Sequence, residues 1–548
     1  MIPMLNGVVV TPSRETADEG WEDFFMSRGI QKSMARGLSG LVILIMAGCG
    51  DSGNAPSTPV SGGGRETSSV EKPDPFAPAP LEIRSKPVVS ASKNDARNEV
   101  SSQEQGIEGG PTEKEPMEPA LPPRTLGDLI AGDDRPFEST RMEIDPERVR
   151  SHGILAVQGT HLHLYSDLRN QGLLQELVAI FDAAVPLWCE LLHVDPAETR
   201  DWYVTGFLVQ DTDKMRQAGL FPNDLPPFPN GFSRGFEFWF YEQPSAFYRR
   251  YLMLHEGTHA FMQQLLGGRG APWYSEGMAE YLSVHEWDGK TLKLKQTIDQ
   301  REDAPLWGRV KLVKDAFASG QGFMPKDIMM MEDEQFLQNV SYGWAWALCH
   351  FLDRHPKCHD AFVALESNIK DRSPAFAQPL VRELQGKWPE VQEDWQVFLS
   401  EIDYGYDLER MAVDYKPVAD LSPGRQQVSI RADRGWQSTG LRLQPGDRIE
   451  ISATGRFLLR TGDEEWPSEP GGITIDYYAG RPLGQLIAAV CPDNQPDNVL
   501  TALLSPVSVG ERQGLQSEQG GVLFLRLNDA PNRLSDNEGE AQVTIEKK

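Results

Sequence analysis

Two histidines four residues apart with a glutamate between them, His255-Glu256-Gly257-Thr258-His259, constrain this chain more than any other feature. On a helix, residues four apart share a face, so both imidazoles can reach one metal ion while Glu256 points at a metal-bound water. The surrounding segment has the marks of such a helix. Ser245 is placed to cap its start, and Gly267-Gly268 to end it. Phe247, Tyr251, Leu254, Thr258, Phe261 and Leu265 recur at three- and four-residue intervals and predict a buried stripe. The plain alternative is a core helix that carries two ordinary histidines.

Glu276 follows within Trp273-Tyr274-Ser275-Glu276-Gly277-Met278-Ala279-Glu280-Tyr281. Pro272 precedes a second helical run, on which Glu276 and Glu280 share a face. The first motif does not continue with glycine and histidine; Met262 and Leu265 stand in those places, which removes a third histidine ligand of the metzincin kind. Glu276 is the natural third ligand, leaving the open fourth position of a catalytic zinc. Glu280 is expected behind it, orienting an imidazole N–H. Either glutamate could instead be a solvated surface residue.

These segments resemble a gluzincin of the thermolysin-like superfamily, and within it a bacterial zincin-like family of unknown function. The words that carry the resemblance are Leu254-His255-Glu256-Gly257-Thr258-His259-Ala260, the stretch around Glu276 and, more weakly, Tyr342-Gly343-Trp344-Ala345-Trp346-Ala347-Leu348. The resemblance implies an α+β metallopeptidase-like domain, set here at residues 137–415, with zinc as cofactor and a peptide or protein as substrate. In that reading His255, His259 and Glu276 hold zinc, which lowers the pKa of its water to about 7. Glu256 takes the proton and passes it to the leaving amine. Gluzincins commonly place a downstream tyrosine or histidine at the developing oxyanion, which makes Tyr342 the candidate and His350 a lesser one. A buried tyrosine in an aromatic run is the competing reading of Tyr342.

In thermolysin-like folds an edge strand borders the substrate cleft, and Gly235–Tyr241 is expected to be that strand. Gly153–Tyr165 has strand character and Leu173–Leu192 helical periodicity; helices dominate from Thr297 to about Met411.

The N-terminal sequence reads as an address. Arg28, Lys32 and Arg36 precede the short apolar run Leu41–Met46, then Ala47-Gly48-Cys49. That order describes a secretory signal over residues 1–49, too short to span a membrane. Met46-Ala47-Gly48-Cys49 resembles a bacterial lipobox with Met where Leu is usual, so Cys49 is the expected lipidation site. The protein is then exported and held at the cell envelope by a lipid anchor only; a plain secreted protein is the alternative, and translation could begin at Met26 or Met34. Residues 50–136 are rich in Ser, Gly, Pro, Glu and Lys and read as a disordered linker. A net charge of −27 over 548 residues argues against a nucleic-acid partner. Of the other cysteines, Cys349 and Cys358 could pair in an oxidising compartment, although isolated buried thiols are the plainer reading.

Beyond Pro423 the pattern changes to short alternating runs. Val428–Ala432, Leu441–Leu443, Arg448–Ala453, Gly472–Tyr478, Leu486–Val490, Gly521–Leu527 and Ala541–Ile545 read as strands, which makes residues 425–548 a β-sandwich. The chain is therefore expected to be multidomain, α+β followed by all-β. The loop from Leu527 to Gly539 concentrates hard oxygen donors of the kind calcium prefers. The module is similar to galactose-binding lectins of the PA-IL type. Carried over by position, that resemblance makes Asp529, Asp536 and Asn537 side-chain calcium ligands and Arg533 a carbonyl ligand. The family has Asn where Asp536 stands, and a sugar-contacting His where Trp466 stands. Trp466 could stack on a sugar, but galactose preference does not carry over. An Asp/Asn-rich hairpin without metal is the alternative. Two other readings of the whole chain stay open: a non-catalytic zincin-like surface protein, and a calcium-dependent carbohydrate-binding protein.

Overall fold

The computed structural model describes residues 141–493 and 499–548. The expected leader with Cys49 and the expected linker at 50–136 lie outside the described residues.

The first part is a mixed sheet flanked by helices. Leu155–Gln158 (β1) and Leu162–Ser166 (β2) form an antiparallel hairpin, because Gly159 and Thr160 turn what the pattern presents as one strand. Val204–Val209 (β3) is buried along its whole length and pairs parallel with β2. Gly231–Arg234 (β4) and Glu237–Tyr241 (β5) complete the order β1-β2-β3-β5-β4. The expectation that Gly235–Tyr241 forms the edge is corrected here: β5 pairs with β3 on one side and with β4 on the other. Its consecutive Phe238, Trp239 and Phe240 are all buried, as suits an interior strand covered on both faces, and the half-exposed β4 takes the edge.

Gln171–Leu191 (α1) starts at Asn170, whose side chain accepts from the Leu173 N–H, and packs against the β1–β2 hairpin. Ala246–Phe261 (α2) starts at Ser245, whose hydroxyl accepts from the Tyr248 N–H at 3.2 Å. Every residue from Tyr251 to Phe261 is buried, so the helix is enclosed on all sides and the apolar stripe marks only part of its contact surface. After Phe261 the last turn widens into a π-turn, Met262–Leu266, and Gly267 closes it at φ +74°.

Pro272–Leu282 (α3) begins with proline in its first turn, where no amide donor is needed. Arg309–Ala318 (α4) and Asn339–Arg354 (α5) follow, with α5 packed on both α3 and α4. The α3–α5 contact is close: a Cβ at Gly277 would lie 2.5 Å from the Cys349 sulfur and 2.6 Å from the Ala345 carbonyl oxygen. Trp388–Glu401 (α6) completes the helical layer.

The C-terminal part consists of two facing sheets. One joins Val507–Ser508, Leu486–Cys491, Gly521–Leu527, Gln437–Leu443 and Ala419–Asp420; the other joins Arg512–Gln516, Arg448–Thr454, Glu540–Lys547 and Arg425–Arg431. Ile430, Ile449, Ile451, Leu486, Leu523, Leu525, Val543 and Ile545 fill the space between them. Ile473–Tyr478 pairs with Arg481–Leu483 in a separate hairpin. The two parts meet through buried polar contacts: Arg526 donates to both oxygens of Glu401 on α6 at 2.8 and 2.9 Å, and the Thr501 amide donates to Gln396 at 2.7 Å. Cys189, Cys349, Cys358 and Cys491 are all free and buried, so Cys349 and Cys358 are not paired.

Candidate metal centre

Helix periodicity brings His255 and His259 to one face of α2, and the close approach of α3 sets Glu276 opposite them. The two Nε2 atoms are 3.2 Å apart; Glu276 Oε2 lies 3.2 Å from His259 Nε2 and 3.5 Å from His255 Nε2. Among the described residues this trio alone gathers three or more such donors, with its ligand atoms within 4.8 Å of one another. Ligands bound tetrahedrally at 2.0–2.1 Å stand about 3.3 Å from each other. The three edges therefore match one face of a tetrahedral zinc site, and the donor set of two imidazoles and a carboxylate suits that ion.

The electrostatics say the same in charge terms. For His255, burial opposes the charged form, but the Glu276 hydrogen bond and the Glu256 and Glu280 carboxylates outweigh it and push the pKa up to about 8. Burial takes His259 down to about 4, against the pull of Glu276. Glu276 resists burial because His259 and His255 hold its carboxyl well below the usual range. The carboxylates around the two imidazoles thus favour positive charge at the point the three donors share. A divalent cation answers that preference with all three lone pairs directed at it.

The two imidazoles have polar groups behind them. Glu280 is buried, with Oε1 at 3.5 Å from His255 Nδ1, and its carboxylate is held by Arg309 of α4 at 2.6 and 3.0 Å and by the Tyr251 hydroxyl. Ser275 Oγ stands 3.5 Å from His259 Nδ1.

Glu256 is buried beside the trio, and burial pushes its carboxyl up to about 7, against the neighbouring His255 charge. Its room comes from the edge strand. A Cβ at Gly231 of β4 would fall 2.4 Å from Glu256 Oε1, so only glycine leaves the carboxylate where it is. Tyr342, at the start of α5, reaches the site: its ring centroid lies 6.2 Å from that of His255. Burial and the Glu276, Glu256 and Glu280 carboxylates raise its pKa well above the ordinary tyrosine value, so its hydroxyl stays a donor. His350 sits two turns further along α5, roughly 12 Å away by helical rise. Its ring stacks on Trp346 and meets Tyr281 and Phe398, which places it in the core and not at the site.

Spacing in the sequence showed His255, Glu256, His259 and Glu276, but not Gly231, Arg309 or Tyr251. The capping pattern is local; the partners across β4 and α4 carry no signal of their own.

In the C-terminal part, Asp529 and Asn537 do meet, but by hydrogen bond: Asn537 Nδ2 donates to Asp529 Oδ2 at 3.0 Å and to the Ala432 carbonyl at 3.1 Å. The Ala530 amide takes the other Asp529 oxygen at 2.7 Å. Asp536 is half-buried, and the Arg533 side chain turns to Asp476 at 2.7 Å. Protein donors thus meet both Asp529 oxygens, whereas Asn537 Oδ1 is buried with no hydrogen-bond partner. Trp466 packs on the sandwich core, with the Arg460 guanidinium 5.3 Å from its ring centroid, so the ring is not a bare stacking platform.

No protein-family model matches this chain, and no curated protein matches it. Parts of it overlap with solved structures, of which three follow. The N-terminal domain of EclA, a PllA-like lectin, is 21% identical over 22% of this chain and 95% of its own, with a TM-score of 0.17. PliG of Aeromonas hydrophila, a periplasmic inhibitor of g-type lysozyme, is 8% identical over 25% of this chain and 97% of its own, with a TM-score of 0.15. IMPa of Pseudomonas aeruginosa, solved with an O-glycopeptide, is 12% identical over 50% of this chain and 27% of its own, with a TM-score of 0.15. At such scores these overlaps carry no argument, and the family stays unassigned.

Proposed function

We propose that this protein is a zinc-dependent hydrolase, acting on peptide bonds, with His255, His259 and Glu276 as ligands and Glu256 as general base. The observation that carries the reading is the triangle of donor atoms with edges of 3.2, 3.2 and 3.5 Å beside a buried carboxylate. Zinc bound there would supply Lewis acidity, making water available as a nucleophile near neutral pH.

The chain's own residues do the rest. Glu256 lies buried beneath Gly231, where it accepts the proton of the attacking water and returns it to the leaving amine. Tyr342 keeps its hydroxyl proton and offers it to the oxygen on which negative charge develops. Glu280, held by Arg309 and Tyr251, fixes the His255 ring so that its Nε2 lone pair stays aimed at the shared point. Glu276 is the least enclosed of the trio, with its side chain 20% exposed, so the centre opens to solvent on that side. The leader motif adds a location to the reading: the catalytic part works outside the cytoplasm, tethered at the envelope through Cys49.

Metal analysis of the purified chain, joined to digestion of a peptide library, tests this. One zinc per chain is expected, with cleavage that Glu256→Gln abolishes and chelation removes. Identical cleavage profiles for the wild type and Glu256→Gln would sink the enzyme reading and leave a non-catalytic surface protein.

A further inference from the structure

Arg269 lies in the short glycine-rich loop between the π-turn and α3. Its guanidinium has no hydrogen bond and no ion pair among the described residues, and its Nε is buried without an acceptor. Arg269 as a whole is half-buried, so it is the Nε edge of the guanidinium that loses hydration without gaining a partner, while the rest of the group stays open to an incoming acceptor. Burial accordingly pulls its pKa below the ordinary arginine value, although Glu276, Asp333 and Glu256 all act to raise it.

The loop is built to hold Arg269 in place. The Gly270 amide donates to the Ile369 carbonyl at 2.6 Å, and a Cβ at Gly268 would lie 2.4 Å from that same oxygen. Gly270 has φ +72°, with the Phe376 ring 2.8 Å from where a Cβ would stand. This close apposition lays the Arg269 loop on the segment that carries Arg372. Arg372 donates to Asp333 at 3.2 and 3.4 Å. Two guanidinium groups thus share one neighbouring carboxylate, Asp333, while Glu276 is committed to the imidazoles. Arg269 sits in the loop that joins the two helices carrying the ligands, and its charge acts on Glu256 and His259.

We propose that Arg269, with Arg372 beside it, receives a carboxylate of the substrate, either an acidic side chain or a free C terminus flanking the scissile bond. A planar guanidinium fork pairs with a carboxylate through two parallel charge-assisted bonds, and an incoming carboxylate would balance the local charge. This deepens the hydrolase reading and rests on it for the word substrate; the anion site itself rests on Arg269.

Binding measured apart from turnover separates the two. Full-length Glu256→Gln protein loaded with zinc is titrated with fluorescent randomised peptide pools in matched pairs: Glu against Gln in C-terminally amidated pools, and free acid against amide in pools without acidic residues. One carboxylate-bearing pool is expected to bind about tenfold to a hundredfold tighter than its neutral match, and the pair that responds identifies the source of the carboxylate. Arg269→Gln should erase the difference, and Arg269→Lys should keep part of it. Equal or undetectable binding of both members in both pairs, by protein with an unchanged melting transition, overturns the proposal. So does an Arg269→Gln enzyme that loses kcat equally on all substrates with KM unmoved, because that marks a group acting on the reacting oxygen. If the wild type cleaves nothing while the carboxylate preference persists, the hydrolase reading fails and the anion site stands. If the wild type cleaves in a Glu256-dependent way with no such preference, only this proposal fails.

Discussion

Glu280 Oε1 faces His255 Nδ1 at 3.5 Å, longer than a formed hydrogen bond but close enough to set the ring's orientation, while Arg309 grips the same carboxylate from the far side. The line from Arg309 through Glu280 to His255 joins α4, α3 and α2, so ligand geometry depends on how three helices pack.

Glu280→Gln should therefore weaken zinc binding about tenfold to a hundredfold, the usual cost of losing such a brace. It also strips a buried guanidinium of its counter-charge, for which a loss on the order of 3–5 kcal/mol is expected. Chelator competition reads the first effect and denaturant unfolding the second. An unchanged zinc affinity would show that Glu280 serves Arg309 alone.

Gly231→Ala places a methyl group against Glu256 Oε1, which must swing away. A displacement near 1 Å at a reacting group costs about 10²-fold in rate. The expected outcome is a fall in kcat of that order with normal zinc content and a melting temperature close to wild type. Retained kcat would mean that Glu256 does not work from the position seen here.

Stability should fall in mild acid because of His285 and His350. Burial takes His285 down to about 4; its Nδ1 donates to the Ser283 carbonyl at 2.9 Å and its Nε2 accepts from Arg250 at 3.0 Å, which fixes the neutral ring. Burial takes His350 down to about 3, with Arg354 and Lys295 adding to it and Asp353 opposing. In both, the folded pKa lies below the unfolded value near 6.5, so the unfolded chain binds more protons in between. The stability they contribute is fully present above about pH 6.5 and is lost as the pH falls toward 4 and then 3. Melting curves across that range should show the decline, and His350→Phe should make it shallower. The same slope in the variant would remove His350 from the account.

Arg526 and Glu401 form the buried joint between the helical part and the sandwich, with side chains 2% and 16% exposed. Arg526→Leu leaves Glu401 facing Tyr478 without its cation, and a cost on the order of 3–5 kcal/mol is expected. The double variant Arg526→Leu with Glu401→Leu should recover much of that loss, since replacing both charges avoids stranding either one. A double variant no better than the single would show that the pair's cost lies in packing, not charge.

What the chain determined by itself was local. The four-residue step from His255 to His259, the Ser245 cap, the proline opening α3 and the Glu276–Glu280 pair all follow from helical periodicity, which depends only on neighbours along the chain. The strand runs of the C-terminal part were readable for the same reason, since alternation is a property of consecutive residues. Only the tertiary structure decided that β4, not β5, forms the edge and lays Gly231 over Glu256. It alone brought Arg309 behind Glu280, turned His350 into the core while Tyr342 reached the centre, and closed Asp529 onto Asn537. These outcomes depend on which surfaces pack together, and such pairings are settled by complementary shape and charge between residues far apart in sequence, where spacing carries no information.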